Sequence, residues 1–322
     1  MKAVVADPVG GPENLKYIDV PKPEPGDGEV LVKIAAVGVN FIDIYFRTGL
    51  YKAPERPVWL GSEAAGTIEA VGKHVSYRPG QRVAYALARG AYAEYAVVPQ
   101  GSLVELPPEV SFEQGAAVLL QGMTAHYLTR STFALAEGHT CLIHAAAGGT
   151  GLLLVQMAKL SGARVIGTVS TEEKARLAKE HGADHVILYT EGDFADGVKQ
   201  WSKGAGVEVV YDSVGRETFL KSLDCLKPRG MMVSFGNASG AVEPVQPLIL
   251  SQKGSLFLTR PTLANYISEP AELRWRSAEV FAWLTAGRLQ ARIHREYPLA
   301  EAAQAHRDLE ARKTSGKLLL KP

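Results

Sequence analysis

The chain has 322 residues, 46% of them apolar, with 35 basic and 34 acidic side chains and a formal net charge of +1. That length accommodates two domains with separate cores, and the even charge balance lacks the basic field that gathers nucleic acid or an anionic membrane surface. Its two cysteines, Cys141 and Cys225, lie in separate apolar segments, which argues against a disulfide framework or a cysteine-rich zinc cluster.

The chain opens on a strand-like KAVVA rather than the apolar core of a signal peptide, and no apolar run matches a bilayer's thickness. A cytoplasmic protein without a membrane partner is therefore expected. Short strand-like runs follow, EVLVKIAAVGV, GTIEAVG, RVAYAL and YAEYAVVP, punctuated by proline and glycine clusters in PKPEPGDGE and YKAPERPVWLG. Such a pattern predicts an all-β domain, a partly open barrel. Ser111 and Gln114 form a capping box before FEQGAAVLLQGMTAHYLTR, where helical periodicity takes over, so a domain boundary is set near Gly122.

From Thr140 the pattern changes to alternating strands and helices. TCLIHAAAGGTG reads as a buried strand that ends in a small-residue turn, and LLLVQMAKLS behind it has helical spacing. Ala146, Gly148, Gly149 and Gly151 remove side chains from the mouth of that helix, where unpaired N–H groups and the helix dipole attract a phosphate. The spacing matches the dinucleotide fingerprint with alanine at the first glycine, a weak signal by itself. ARVIGTVS, VILY, VEVVYDSVG and GMMVSFGN supply further strands, and STEEKARLAKEHGA a helix capped by Ser170 with Glu173. The expected fold class is α/β, a doubly wound parallel sheet inserted in a mostly β domain. SLFLT at 255–259 is expected as the last strand, with an open edge. The helices ELRWRSAEVFAWLTAG and LAEAAQAHRDLEARK, the strand ARIHREYPL and KLLLKP then return to the first domain. The predicted division is 1–122 with 263–322 for the β domain, and 123–262 for the dinucleotide-binding domain.

GVNFIDIYFRTGLY at 38–51, GSEAAGTIEAVG at 61–72, HAAAGGTG at 144–151, YDSVG at 211–215, MMVSFGN at 231–237 and QKGSLFLTRPTL at 252–263 resemble the zinc-independent, zeta-crystallin-like quinone oxidoreductases. These belong to the medium-chain dehydrogenase/reductase superfamily, with a GroES-like catalytic domain around a Rossmann domain. The likeness runs essentially end to end; Thr150 departs from it, standing where the family usually carries an apolar residue. Zinc-dependent relatives place a Cys near the position of Asn40 and a His in GHE, where this chain reads Gly61-Ser62-Glu63. Serine is a poor zinc ligand, so no metal is expected. Without a Lewis acid, hydride delivery to an electrophilic quinone is favoured over alcohol oxidation.

The segment GTVST at 167–171 lacks the carboxylate that NAD-specific sites set against the ribose 2′-hydroxyl. Lys174 lies in the first turn of the next helix, where a cation opposes the dipole unless an anion is near. Ser170, Lys174 and, by the resemblance, Tyr189 would hold a 2′-phosphate, so NADPH is the expected cofactor. The alternative is a solvated Lys174 offset by Glu172 and Glu173. Around the nicotinamide the resemblance points to the loop Asn40, Phe41, Ile42, Asp43, Ile44 and Tyr45, with Tyr51 beyond. Asn40, Tyr45 and Tyr51 are the candidate catalytic residues, beside a quinone held between the domains; core packing is the alternative for either tyrosine. Asp43 is expected to accept backbone N–H bonds rather than to act as an acid or base.

The resemblance further implies Gly149 and Thr150 at the pyrophosphate, Tyr127 beside the cofactor and Val214 on the adenosine side. It sets Phe235, Gly236 and Asn237 on the nicotinamide side, although Asn237 could equally cap a turn. Lys317 is a candidate too, with a solvated lysine in a terminal loop as its alternative. The histidines show no ligand spacing and are read as structural. An isologous homodimer through 255–259 is implied as well. Two other functions compete: reduction of α,β-unsaturated carbonyls, and an NADPH-binding structural or RNA-binding protein with little turnover. The near-neutral charge opposes the second, and RNA binding that collapses as salt rises would reveal it.

Overall fold

The computed structural model describes residues 1–322. The chain forms two compact units, Met1–Met123 with Ser268–Pro322, and Thr124–Ile267.

The first unit begins with β1 (Lys2–Ala6), β2 (Leu15–Asp19) and β3 (Glu29–Val39), the strand about which it is built. A short helix, α1 (Phe41–Thr48), precedes β4 (Val58–Trp59), β5 (Glu63–Val71), β6 (Arg82–Ala86), β7 (Tyr95–Pro99) and β8 (Leu103–Glu105). The capping box at Ser111 is present: Gln114 N donates to Ser111 Oγ at 3.1 Å, and Ser111 N to Gln114 Oε1 at 3.0 Å. It opens α2 (Phe112–Tyr127), the helix within which the chain passes from one unit to the other.

The second unit alternates strand and helix: β9 (Thr140–Ile143), α3 (Gly149–Leu160), β10 (Arg164–Val169), α4 (Glu172–Glu180), β11 (His185–Leu188) and α5 (Phe194–Trp201). It continues through β12 (Val207–Asp212), α6 (Phe219–Leu223), β13 (Leu226–Ser234), α7 (Leu248–Gln252), β14 (Phe257–Thr259) and α8 (Leu263–Tyr266). The strands form one parallel sheet in the order β11-β10-β9-β12-β13-β14. The order reverses between β9 and β12, and beyond the carboxyl ends of strands at such a switch point ligands bind. Only Phe257–Thr259 of the expected edge strand pairs, so β14 is shorter than the apolar run that announced it.

The chain then returns to the first unit with α9 (Pro270–Thr285), β15 (Ile293–Pro298), α10 (Ala302–Glu310) and β16 (Lys317–Lys321). The main sheet there is seven-stranded in the order β15-β16-β3-β5-β6-β8, with β7 also on β3, and a three-stranded sheet β2-β1-β4 accompanies it. Two register shifts against β5 bend β3. Its first half pairs with β7 and its last residues with β16, as Leu318↔Val39 and Leu320↔Val37. One apolar core unites them, with Val32, Val37, Tyr85, Val98, Leu318 and Leu320 all buried.

Candidate active site

In the second unit, every predicted residue on the sheet's loops lies beyond the carboxyl end of a strand. After β9 the chain turns through Ala145, at φ 51°, and Gly148 becomes the N-cap of α3. Gly148 brings no side-chain cap, and no acidic residue occupies the first turn, so the amino end of α3 with Gly149 and Thr150 is open to an anion. A Cβ on Gly151 would run into the Ala145 carbonyl and the Ala146 backbone; glycine there lets the helix lie against the turn.

Beyond β10, the register Val169↔Leu188 brings Ser170 beside Tyr189, and Thr190 Oγ1 donates to the Ser170 carbonyl at 3.2 Å. The N-cap of α4 is Thr171 rather than Ser170: the Thr171 hydroxyl accepts from Lys174 N at 3.3 Å. This shift by one residue frees the Ser170 side chain from capping and keeps Lys174 in the first turn. After β12, the buried Asp212 carboxylate accepts from Val214 N at 2.8 Å and Gly215 N at 3.1 Å, which fixes the Val214 loop. Phe235 and Gly236 follow β13, and a Cβ on Gly236 would meet the Ser213 backbone. Asn237, oriented so that both ends are satisfied, donates to the Gly236 carbonyl at 3.0 Å and accepts from Arg260 Nη2 at 3.1 Å. Tyr127 is buried and stacks on Tyr266, with ring centroids 4.2 Å apart. His144, held between Thr168 and Ser222 at 2.8 Å each, has the structural character expected of it.

In the first unit, the expected loop 40–45 is instead the start of α1. Asn40 is the N-cap, and Asp43 reaches back to accept from Asn40 N at 2.9 Å, half of a capping box; Gly49 ends the helix at φ 82°. Tyr45 is nearly buried, and Tyr51 meets it edge-on at 5.1 Å between centroids. Phe41, Ile42 and Ile44 line the same helix.

The Asn40 side chain serves a buried polar cluster. Its Nδ2 donates to Glu63 Oε2 at 2.9 Å and to the Gly38 carbonyl at 3.1 Å, and its Oδ1 accepts from Lys317 Nζ at 2.7 Å. Lys317 also meets Glu63 Oε2 at 2.6 Å, both side chains being almost wholly buried. Leu120 N completes the Glu63 carboxylate at 2.7 Å. Lys317 is thus the first residue of a strand, not a solvated residue in a terminal loop, because β16 carries it between β15 and β3. Burial lowers its affinity for the proton while Glu63 and Asp43 sustain it. A Cβ on Gly38 would collide with Glu63, Lys317 and the Ala116 carbonyl, so glycine makes room for this ion pair.

Asp43 does more than accept a backbone N–H. Ser62 Oγ donates to its Oδ1 at 2.9 Å and the Tyr92 hydroxyl to its Oδ2 at 3.3 Å. Burial pushes its carboxyl up to about 6, a rise that these donors and the charge of Lys317 limit. Behind Tyr92 stand His306 at 2.8 Å, then Arg47 at 3.3 Å from the imidazole, then Glu310 in a two-bond pair with Arg47. Sequence reading missed Tyr92, His306 and Arg47, as no motif joins residues so far apart. It also passed over Gln121, whose Nε2 is 3.4 Å from Asn40 Oδ1 and whose buried Oε1 has no partner. No group of three or more His, Cys, Asp or Glu side chains is placed to hold a metal ion.

Residues 26–108 match the alcohol dehydrogenase GroES-like domain, and residues 149–269 match the zinc-binding dehydrogenase family. A quinone oxidoreductase of Pseudomonas aeruginosa is 51% identical, with 97% of each chain covered. A 2-haloacrylate reductase of a Burkholderia species is 42% identical over 99% of this chain and 98% of its own. The structure is similar to that of Escherichia coli quinone oxidoreductase complexed with NADPH, with a TM-score of 0.98, 45% identity and all of both chains covered.

Proposed function

The chain belongs to the quinone oxidoreductases of the medium-chain dehydrogenase/reductase superfamily, and from that membership we propose a zinc-independent reduction of quinones by NADPH. Bound NADPH supplies the hydride that, with one proton, converts a quinone to its hydroquinone. In the second unit, the open amino end of α3 with Gly148, Gly149 and Thr150 suits the pyrophosphate. Ser170, Lys174 and Tyr189 suit the 2′-phosphate, and Val214, Phe235, Gly236, Asn237 and Tyr127 are assigned to the rest of the nucleotide. In the first unit, the turn Asn40 to Ile44 and Lys317 are assigned to the nicotinamide end, where the orphan Gln121 Oε1 offers an acceptor to a carboxamide. The edge-on pair Tyr45 and Tyr51 suits a flat acceptor, with a phenol to donate to its oxygen.

The observation that carries the zinc-free reading is the Lys317 ammonium seated on Glu63 and Asn40. A divalent ion there would face that charge and find amide and hydroxyl ligands at Asn40 and Ser62. Similarity to the 2-haloacrylate reductase supports a second reading, reduction of a conjugated acid or enone in the same site.

The test is NADPH oxidation by chelator-treated protein with a benzoquinone, a naphthoquinone, an enone and a 2-haloacrylate. Quinone turnover that survives the chelator is expected, and turnover of the conjugated acids alone selects the second reading. Lys174→Ala is expected to raise KM for NADPH roughly ten-fold and leave that for NADH unchanged. An unaltered NADPH KM would refute the 2′-phosphate assignment.

We further propose a homodimer through β14, where Phe257 and Leu258 are 57% and 38% exposed on an unpaired edge. Cys141 and Cys225 are free and buried, which suits the reducing cytoplasm.

A further inference from the structure

The row Glu310, Arg47, His306, Tyr92 and Asp43 has a direction, which hydrogen-bond chemistry fixes. Arg47 can only donate, so the nitrogen it faces, His306 Nδ1, must be the bare one. The proton of the neutral imidazole is then on Nε2 and points at the Tyr92 oxygen, 2.8 Å away. Since that oxygen accepts from the imidazole, its own hydrogen turns to Asp43 Oδ2. Asp43 is left facing three donors, Tyr92, Ser62 and Asn40 N, a set that favours its carboxylate form. Glu310 anchors the row by holding both Arg47 amino groups, and the Arg47 Nε donates to the Gly10 carbonyl at 3.1 Å.

We propose that His306 is a positioning residue for the site at Asn40: fixed as its Nε2–H tautomer by Arg47, it turns Tyr92 onto Asp43. That contact keeps Asp43 the acceptor that joins Asn40, the N-cap of α1, to Ser62. Four of the five side chains are buried, only Glu310 being part-exposed, so water does not substitute for a missing member. The groups that bear on Asp43 are Tyr92 from the loop before β7, Ser62 from the approach to β5, and Lys317 from β16 with its partner Glu63. Arg47 on α1 and His306 on α10 act through Tyr92. Removal of the imidazole releases the Tyr92 hydroxyl to rotate and weakens one of three donors, so Asp43 takes up a proton at higher pH.

The kinetic part of the test rests on the quinone-reductase reading; the spectroscopic part does not. In ¹⁵N-histidine-labelled protein, the His306 signal, assigned by its loss in His306→Gln, is expected to show a bare Nδ1 and a protonated Nε2 from pH 5 to 8. A proton on Nδ1, or an imidazolium, would overturn the proposal. In quinone reduction, His306→Leu is expected to lower kcat roughly ten-fold and to move the acid limb of its pH profile up by about one unit. His306→Gln, with an amide oxygen for Arg47 and an amide N–H for Tyr92, is expected to restore both. Tyr92→Phe removes only the hydroxyl and is expected to move the limb as His306→Leu does, which keeps the test valid if the leucine variant does not fold. An acid limb unmoved in Tyr92→Phe overturns the proposal. Wild-type protein that fails to reduce any quinone would refute the proposed reaction, while the tautomer would still decide the role of His306.

Discussion

Asp43 and His306 are wholly buried, and burial moves their protonation in opposite senses: Asp43 up to about 6, His306 down to about 3, the latter helped by the nearby Arg47 charge. From about pH 4 to 6 the folded chain holds a proton on Asp43 that the unfolded chain has released, so this contribution to stability falls as pH rises. Over the same range the unfolded chain protonates His306 and the folded chain does not, so this contribution grows as pH rises. Each is on the order of a few kcal/mol, and in the wild type they offset. Asp43→Asn is therefore expected to lower the urea midpoint on acidification from about pH 6.5 to 4 more steeply than wild type, and His306→Gln less steeply. Parallel pH profiles for the three proteins would show that the offset does not exist. Sequence reading reached Asp43 as a structural acceptor because Asn40 and Asp43 are neighbours. It could not reach Tyr92 and His306, which are 214 residues apart and meet only when α10 folds against the loop before β7.

At the scale of elements, strands were legible wherever an apolar run ended in glycine or proline, and so β1, β3, β9, β12 and β13 stand where those runs lie. α1 was not legible. Its residues are largely β-branched and aromatic, poor helix formers, and it is held by the Asp43 half-box and by burial of Ile44 and Tyr45 against the core. α3 was legible through its glycines, and there the structure supplies a reason of space. Gly151→Val is expected to force the first turn of α3 from the Ala145 carbonyl, with a loss of about 1–3 kcal/mol of stability and more than roughly ten-fold in NADPH affinity. Chemical denaturation and fluorescence titration would measure the two. Unchanged NADPH affinity in a folded variant would remove α3 from the cofactor's contacts.

For the whole molecule, the open edge at β14 sets the expected assembly. Leu258→Lys places a charge on that edge and is expected to convert a dimer to a monomer by light scattering at micromolar concentration, with the fold retained by circular dichroism. A wild-type monomer would dispose of the proposed dimer. Fold class was legible from the change in period along the chain, because β and α/β patterns differ in their repeat. The lengths of β14 and β16 were not, since hydrogen bonding to neighbours decides them.

β16 has a consequence for the order of events during synthesis. Lys317 meets Asn40 across 277 residues of chain, and β16 pairs with β3. As a ribosome delivers the chain from its amino end, Thr124–Ile267 is complete and able to fold while the last residues of β3 still lack β16. Until residues 317–321 emerge, Glu63 has no ammonium and the end of β3 is an open edge in a nascent protein. In the interval between those two moments the unpaired end of β3 is open to misassembly with another strand.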